Sequence, residues 1–121
     1  MLIHQKTEFD AAHRLFNYPG NCSNIHGHTW TVEVWIEGEL TDLSMVRDYR
    51  EIKGYFKDEF DHKLLLWKMD PLVELLEGRT KIKKLDAIPT AEHLAAVIRG
   101  DLGAEKVRIW ESKDNYAEAL K

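Results

Sequence analysis

Cysteine is the scarcest chemistry in these 121 residues: Cys22 is alone. With no second thiol an internal disulfide is excluded, the fold must rest on packing, and the cytoplasm is the expected compartment. Long apolar runs are missing as well. Nowhere do 18 apolar residues follow one another, which excludes a spanning helix and any membrane partner built on one. The opening MLIHQKTEFD lacks the apolar stretch of a signal peptide. Basic residues are not in excess either: 17 Lys and Arg stand against 21 Asp and Glu, a net charge of -4. That removes the electrostatic footprint expected of a nucleic-acid binder. Internal repeats and low-complexity tracts are absent too. What is present, 44% apolar and 31% charged residues, suits one globular domain spanning 1–121 around one core.

Periodicity organises the chain. Residues 2–13 read as a strand, with Phe9, Ala11 and His13 on one parity and Glu8 and Asp10 on the other. Asn17, Pro19, Gly20 and Asn21 mark a loop. Over 26–37, Trp30, Val32, Val34 and Ile36 alternate with polar neighbours, the clearest strand in the chain. Asp48 followed by Glu51 starts a helix, which Tyr49, Ile52, Phe56 and Phe60 carry at helical spacing. A short helix can follow Pro71, and RTKIKKLD reads as a charged loop. A second full helix starts at Thr90, with Leu94, Val97 and Ile98 inward and Gly100 or Gly103 at its end. VRIWES and NYAEAL close the chain as two strands around Lys113 and Asp114. The expected architecture is α+β: a four-stranded antiparallel sheet with two helices on one face. Its two open edges invite pairing with other chains.

Chemistry concentrates in NCSNIHGHTW, residues 21–30. His26 and His28 are two apart on a strand and share a face. Gly27 leaves the opposite face without bulk. If the first two strands form a hairpin, His13 comes close to both. Three imidazoles make a zinc-type site with one position open to substrate or water. Nickel, copper and iron also accept imidazole, so zinc is the first choice among several. For Cys22 three readings are open: a thiol activated near the histidines, a fourth ligand closing the site, or a small buried hydrophobe. Asp61 and His62 are adjacent where the first helix ends. An aspartate can orient a histidine for proton transfer, and a histidine also suits a helix C-terminus. Glu111 shares the parity of the apolar Val107 and Ile109. It needs a partner, such as the paired N–H donors of a heterocycle, unless the strand end is exposed. His4 and His93 read as non-ligands.

Six segments in order resemble the 6-pyruvoyltetrahydropterin synthase family. They are FDAAH at 9–13, C-x-x-x-HGH at 22–28, SMVRDY at 44–49, FDH at 60–62, IPTAEH at 88–93 and VRIWES at 107–112. The three-residue gap between Cys22 and His26 is similar to the bacterial branch that forms 6-carboxytetrahydropterin, of the queuosine and deazapurine pathway. The resemblance implies the tunnelling fold, with strands closing into a barrel in a homohexamer of two trimers. It implies zinc on His13, His26 and His28. It makes Cys22, Asp61 and His62 catalytic, with the Asp-His pair serving a neighbour's cysteine. It gives Glu111, Thr90 and Glu92 to the pterin. It implies a lyase acting on 7,8-dihydroneopterin triphosphate, releasing acetaldehyde and triphosphate, with the pyruvoyl-forming reaction as the alternative. The chain departs from the family at Leu66 and Trp67 after the Asp-His pair, at Ala91, and at His93.

Overall fold

The computed structural model describes all residues, Met1–Lys121. The alternation read from the sequence is what pairs the first two strands. β1 (Leu2–His13) and β2 (His26–Glu37) run antiparallel over their whole length, Leu2 opposite Glu37 and His13 opposite His26. One face of the pair is apolar. Phe9, Ala11, Trp30, Val32, Val34 and Ile36 are all buried there, each larger side chain stabilising the fold by about 1.5–3 kcal/mol relative to exposure. β5 (Lys106–Ser112) adds antiparallel to β2, and β6 (Asn115–Leu120) to β5.

Two helices cover the apolar face. α1 (Tyr49–Glu59) begins where the Asp48 carboxylate accepts the Arg50 N–H at 2.8 Å. It lowers Ile52 and Phe56 onto the sheet, and Phe60 follows as a buried cap. α3 (Ala91–Leu102) begins at Thr90, whose Oγ1 accepts the His93 N–H at 3.1 Å. It ends at Gly103, which takes the left-handed φ of 62° that glycine tolerates. Of the two glycines expected to end it, Gly103 does so.

The expected sheet was too small and too uniform. There are six strands, ordered β4-β3-β1-β2-β5-β6. β3 (Lys63–Trp67) runs parallel to β1, and β4 (Ile82–Leu85) parallel to β3. Alternation could not reveal β3, because it is buried on both sides. Leu65 joins the main core, while Leu64 and Leu66 pack on the opposite face with Val73. β4 hides in RTKIKKLD for another reason. Lys83 sets its Nζ over the Phe60 ring, 4.8 Å from the centroid, and meets Glu59 at 3.1 Å, so a lysine behaves as a half-buried strand residue.

The two-helix expectation fails in the same place. The short α2 (Pro71–Leu76) covers Leu64 and Leu66 from the face opposite α1 and α3. Asp70 caps it, accepting the Leu72 N–H at 2.8 Å. The same carboxylate is almost fully buried and takes a two-pronged ion pair from Arg14. Burial would raise the Asp70 carboxyl, but the Arg14 and Leu72 hydrogen bonds outweigh it and hold it below the ordinary carboxylate range.

Candidate metal centre

The antiparallel register assembles the site. His13 pairs with His26 and Ala11 with His28, so three imidazoles leave the core face at the end of the hairpin. Their ring centroids lie 4.6, 5.2 and 5.0 Å apart. Trp30 forms the floor, edge-on to His13 at 5.0 Å and to His28 at 5.3 Å. Gly27, on the other face, is not required by crowding: a Cβ there would meet the Ala11 carbonyl at an ordinary 3.9 Å.

Hydrogen bonds from behind orient two of the rings. His13 Nδ1 lies 2.8 Å from the Pro89 carbonyl, and His26 Nδ1 lies 2.7 Å from the Asn24 carbonyl. A carbonyl only accepts, so each Nδ1 carries the proton and each Nε2 presents a lone pair. Burial holds the His13 imidazole below its ordinary pKa. The Pro89 contact opposes that shift and the His26 charge reinforces it. Burial also lowers His28, against the pull of Glu111. Neutral rings are the form that binds a metal.

Glu111 completes the group. One ligand atom from each of His13, His26, His28 and Glu111 falls within 4.8 Å of all the others. Glu111 Oε1 lies 3.0 Å from His28 Nε2 and 3.7 Å from His13 Nε2. Despite this proximity both nitrogens are buried with no well-formed hydrogen bond: the carboxylate is too far from His13 and poorly aligned with His28. At His13 a bare lone pair faces a carboxylate, two acceptors with no proton between them. A cation resolves that conflict, so these residues fit a metal ion. Parity had placed Glu111 on the apolar face, but not in contact with the histidines.

Beside the group opens a cavity of about 540 Å³, lined by His13, Leu15, Phe16, Asn17, Tyr18, Pro19, Ile88, Thr90, Ala91, Glu92 and Glu111. Its size and its mixed apolar and polar walls suit a small heterocycle. The sequence reading had four of these residues, His13 as a metal ligand and Thr90, Glu92 and Glu111 for the ring. The 15–19 wall carries no periodicity and escaped it.

Cys22 lies in a 3₁₀ turn (Asn21–Ser23), half-buried, with its carbonyl accepting the Leu15 N–H at 2.7 Å. It stands outside the four-residue group. Asp61 and His62 are held elsewhere. Asp61 Oδ1 accepts the Asp10 N–H at 3.0 Å, and the Asp10 carbonyl accepts the His62 N–H at 2.7 Å. Asp61 Oδ2 then lies 2.9 Å from His62 Nδ1. The Asp10 N–H and His62 keep the Asp61 carboxyl below its ordinary pKa. His62 has φ 58°, an uncommon left-handed backbone for a non-glycine residue, and its side chain is 77% exposed. Asp10 alternates with His13, so the pair is anchored to the strand position that faces away from the histidine group.

A six-stranded α+β fold that presents three histidines beside a heterocycle-sized cavity defines a class, a small-molecule site able to hold a metal ion. Comparison with known proteins supplies the family. Residues 2–121 match the family model described as 6-pyruvoyl tetrahydropterin synthase. A Pyrococcus horikoshii relative is 38% identical over 140 aligned positions, 96% of this chain and 87% of the relative. The Rickettsia bellii protein named 6-carboxy-5,6,7,8-tetrahydropterin synthase is 34% identical over 125, covering 97% and 88%. Among solved structures, Caenorhabditis elegans 6-pyruvoyl tetrahydropterin synthase superposes with a TM-score of 0.68 at 24% identity, covering 100% of this chain and 95% of that one. An uncharacterized Wolinella succinogenes protein gives 0.73 at 18%, covering 100% and 98%. The chain belongs to the 6-pyruvoyl tetrahydropterin synthase family, as a 6-carboxytetrahydropterin synthase-like enzyme.

Proposed function

We propose that the chain is a zinc-dependent lyase. It converts 7,8-dihydroneopterin triphosphate to 6-carboxy-5,6,7,8-tetrahydropterin, acetaldehyde and triphosphate, in queuosine or 7-deazapurine biosynthesis. One observation carries the reading: the buried, partnerless Nε2 of His13, with that of His28 beside it, sits at the wall of a cavity that also holds Glu111, Thr90 and Glu92. His13, His26 and His28 hold the metal. When bound, zinc supplies Lewis-acid polarisation of the substrate's hydroxylated side chain.

The remaining work falls to the chain's own groups. Glu111 accepts the ring N–H donors and sets the pterin in register. Thr90 and Glu92 line the ring's pocket. Cys22 moves a proton on one side of the substrate side chain, and His62, oriented by Asp61, on the other. Because Asp61 and His62 hang from Asp10 on the far face, they serve the Cys22 of a neighbouring subunit. The open edges β4 and β6 support such an assembly, a barrel within a homohexamer of two trimers. Arg14 is engaged by Asp70, Lys83 by Glu59 and Lys84 by Glu77. Lys6, Arg79 and Lys81, without carboxylate partners, remain for the triphosphate.

Incubating the purified protein with 7,8-dihydroneopterin triphosphate, with metal content measured on the same sample, tests the reading. Acetaldehyde release is expected. A pyruvoyl product without acetaldehyde would move the chain to the 6-pyruvoyltetrahydropterin-forming reaction, which the family description favours. Metal without any turnover would leave a non-catalytic zinc-stabilised module. No helix is long and apolar enough to cross a membrane. The cytoplasm is the setting proposed for this reaction.

A further inference from the structure

Glu111 stands where two sites meet, and the strand around it leaves it free to choose. The ladder between β2 and β5 stops one residue earlier, at Thr31 opposite Trp110. On the other side, β6 pairs with Trp110 and Ser112 but skips Glu111, a register break that gives this residue no cross-strand partner. Bulges of this kind re-aim side chains beside active sites. Apart from the poorly aligned approach of His28, no hydrogen bond holds the Glu111 carboxylate, and its side chain is about one-third exposed, at 32%. It nonetheless approaches His28 Nε2 and His13 Nε2 at 3.0 and 3.7 Å. The same residue forms part of the cavity wall with Thr90 and Glu92.

We propose that Glu111 is a two-position carboxylate: it is the fourth ligand of the resting metal centre and leaves that centre when a heterocycle with paired N–H donors fills the cavity. Ring capture then vacates a ligand position at the moment the substrate side chain arrives. Metal without substrate keeps four protein ligands, so water is excluded from the idle site. The exchange breaks one carboxylate–metal contact and forms hydrogen bonds to the ring, with no net redox or proton change. By linkage, a ring without a side chain must weaken metal binding, and the metal must weaken ring binding by the same factor. The inference rests on the ring-anchoring role of Glu111 proposed above.

The test uses the full chain loaded with Co²⁺, whose visible absorption reports its ligand set, and pterin lacking the C6 side chain as the probe. Pterin should change the Co²⁺ spectrum of the wild type. Glu111→Gln should show an altered spectrum before pterin is added, and no further change after it. In chelator competition, Glu111→Gln should bind Zn²⁺ about 10–100-fold more weakly, the range seen when a residue supporting a metal site is lost. Pterin should weaken Zn²⁺ binding to the wild type alone. An unchanged wild-type Co²⁺ spectrum at saturating pterin overturns the exchange, and that measurement needs no variant. If Glu111→Gln loses pterin but keeps full Zn²⁺ affinity, ring anchoring stands and the exchange fails. If it loses Zn²⁺ affinity but keeps pterin, Glu111 is a ligand only, and both the exchange and the anchoring role fail.

Discussion

The histidine group and the Asp61–His62 pair differ in nearly every physical respect. The histidines stand on long paired strands, over a buried tryptophan, with two rings oriented by backbone carbonyls. Asp61 and His62 end the three-residue link, 60–62, between α1 and β3, with one left-handed backbone and an exposed imidazole. The first region is preorganised within one chain and fits a metal ion. The second is aimed at solvent. Burial and hydrogen bonding thus distinguish rings locked by their own chain from an exposed pair, which the proposed function assigns to a neighbouring copy's site.

The sharpest test of this contrast is to break the first region. His28→Ala should abolish stoichiometric metal binding and lower turnover by about 10³-fold or more, since Lewis-acid assistance supplies several kcal/mol. Metal analysis and acetaldehyde release measure both effects. Cys22→Ala should leave the metal in place and reduce kcat by about 10²–10⁴-fold, the usual range for an acid–base group. Loss of metal in that variant would make Cys22 a ligand and the centre structural.

His62→Ala should resemble Cys22→Ala in rate while keeping the metal, and the two together test the partner idea. When equal amounts of the two variants are unfolded and reassembled, sites drawing on different chains should regain about a quarter of wild-type activity, as random mixing of symmetric subunits requires. Absence of any recovery would place both groups in one chain's site.

The smallest expected effect concerns support rather than chemistry. Arg14→Ala strands the buried Asp70 beside β3 and α2. It should cost about 2 kcal/mol in urea unfolding, less than a fully buried pair because the guanidinium is partly exposed. The folded Asp70 carboxyl lies below its unfolded value. Its contribution is therefore present above roughly pH 4 and is lost as pH falls through the lower folded value. In Arg14→Ala that acid-side loss should flatten.

Much of this was legible from period and parity. Alternation located β1, β2, β5 and β6, helical spacing with a capping aspartate located α1, and Thr90 with Gly103 bounded α3. Strand parity put His26 and His28 on one face. Antiparallel pairing then placed His13 beside them, which is why three scattered histidines could be read as one site. β3 and β4 were illegible for the opposite reasons already seen in their residues. A strand buried on both faces has no alternation, and a lysine whose ammonium sits over Phe60 looks like a solvated one. α2 followed Pro71 as expected, but nothing local says that it covers the second face of the sheet.

Local order in the chain was enough for the histidine hairpin, because two strands joined by one loop have a single antiparallel register that buries Phe9, Trp30, Val32 and Val34 together. Folding in three dimensions decided the rest. It brought Glu111, more than 80 residues beyond His28, to within 3.0 Å of it, where a bulge releases its side chain. It also hung Asp61 and His62 from Asp10, on the side of the sheet away from the metal group. Neither placement has a local signature, since each depends on which distant strand lies alongside.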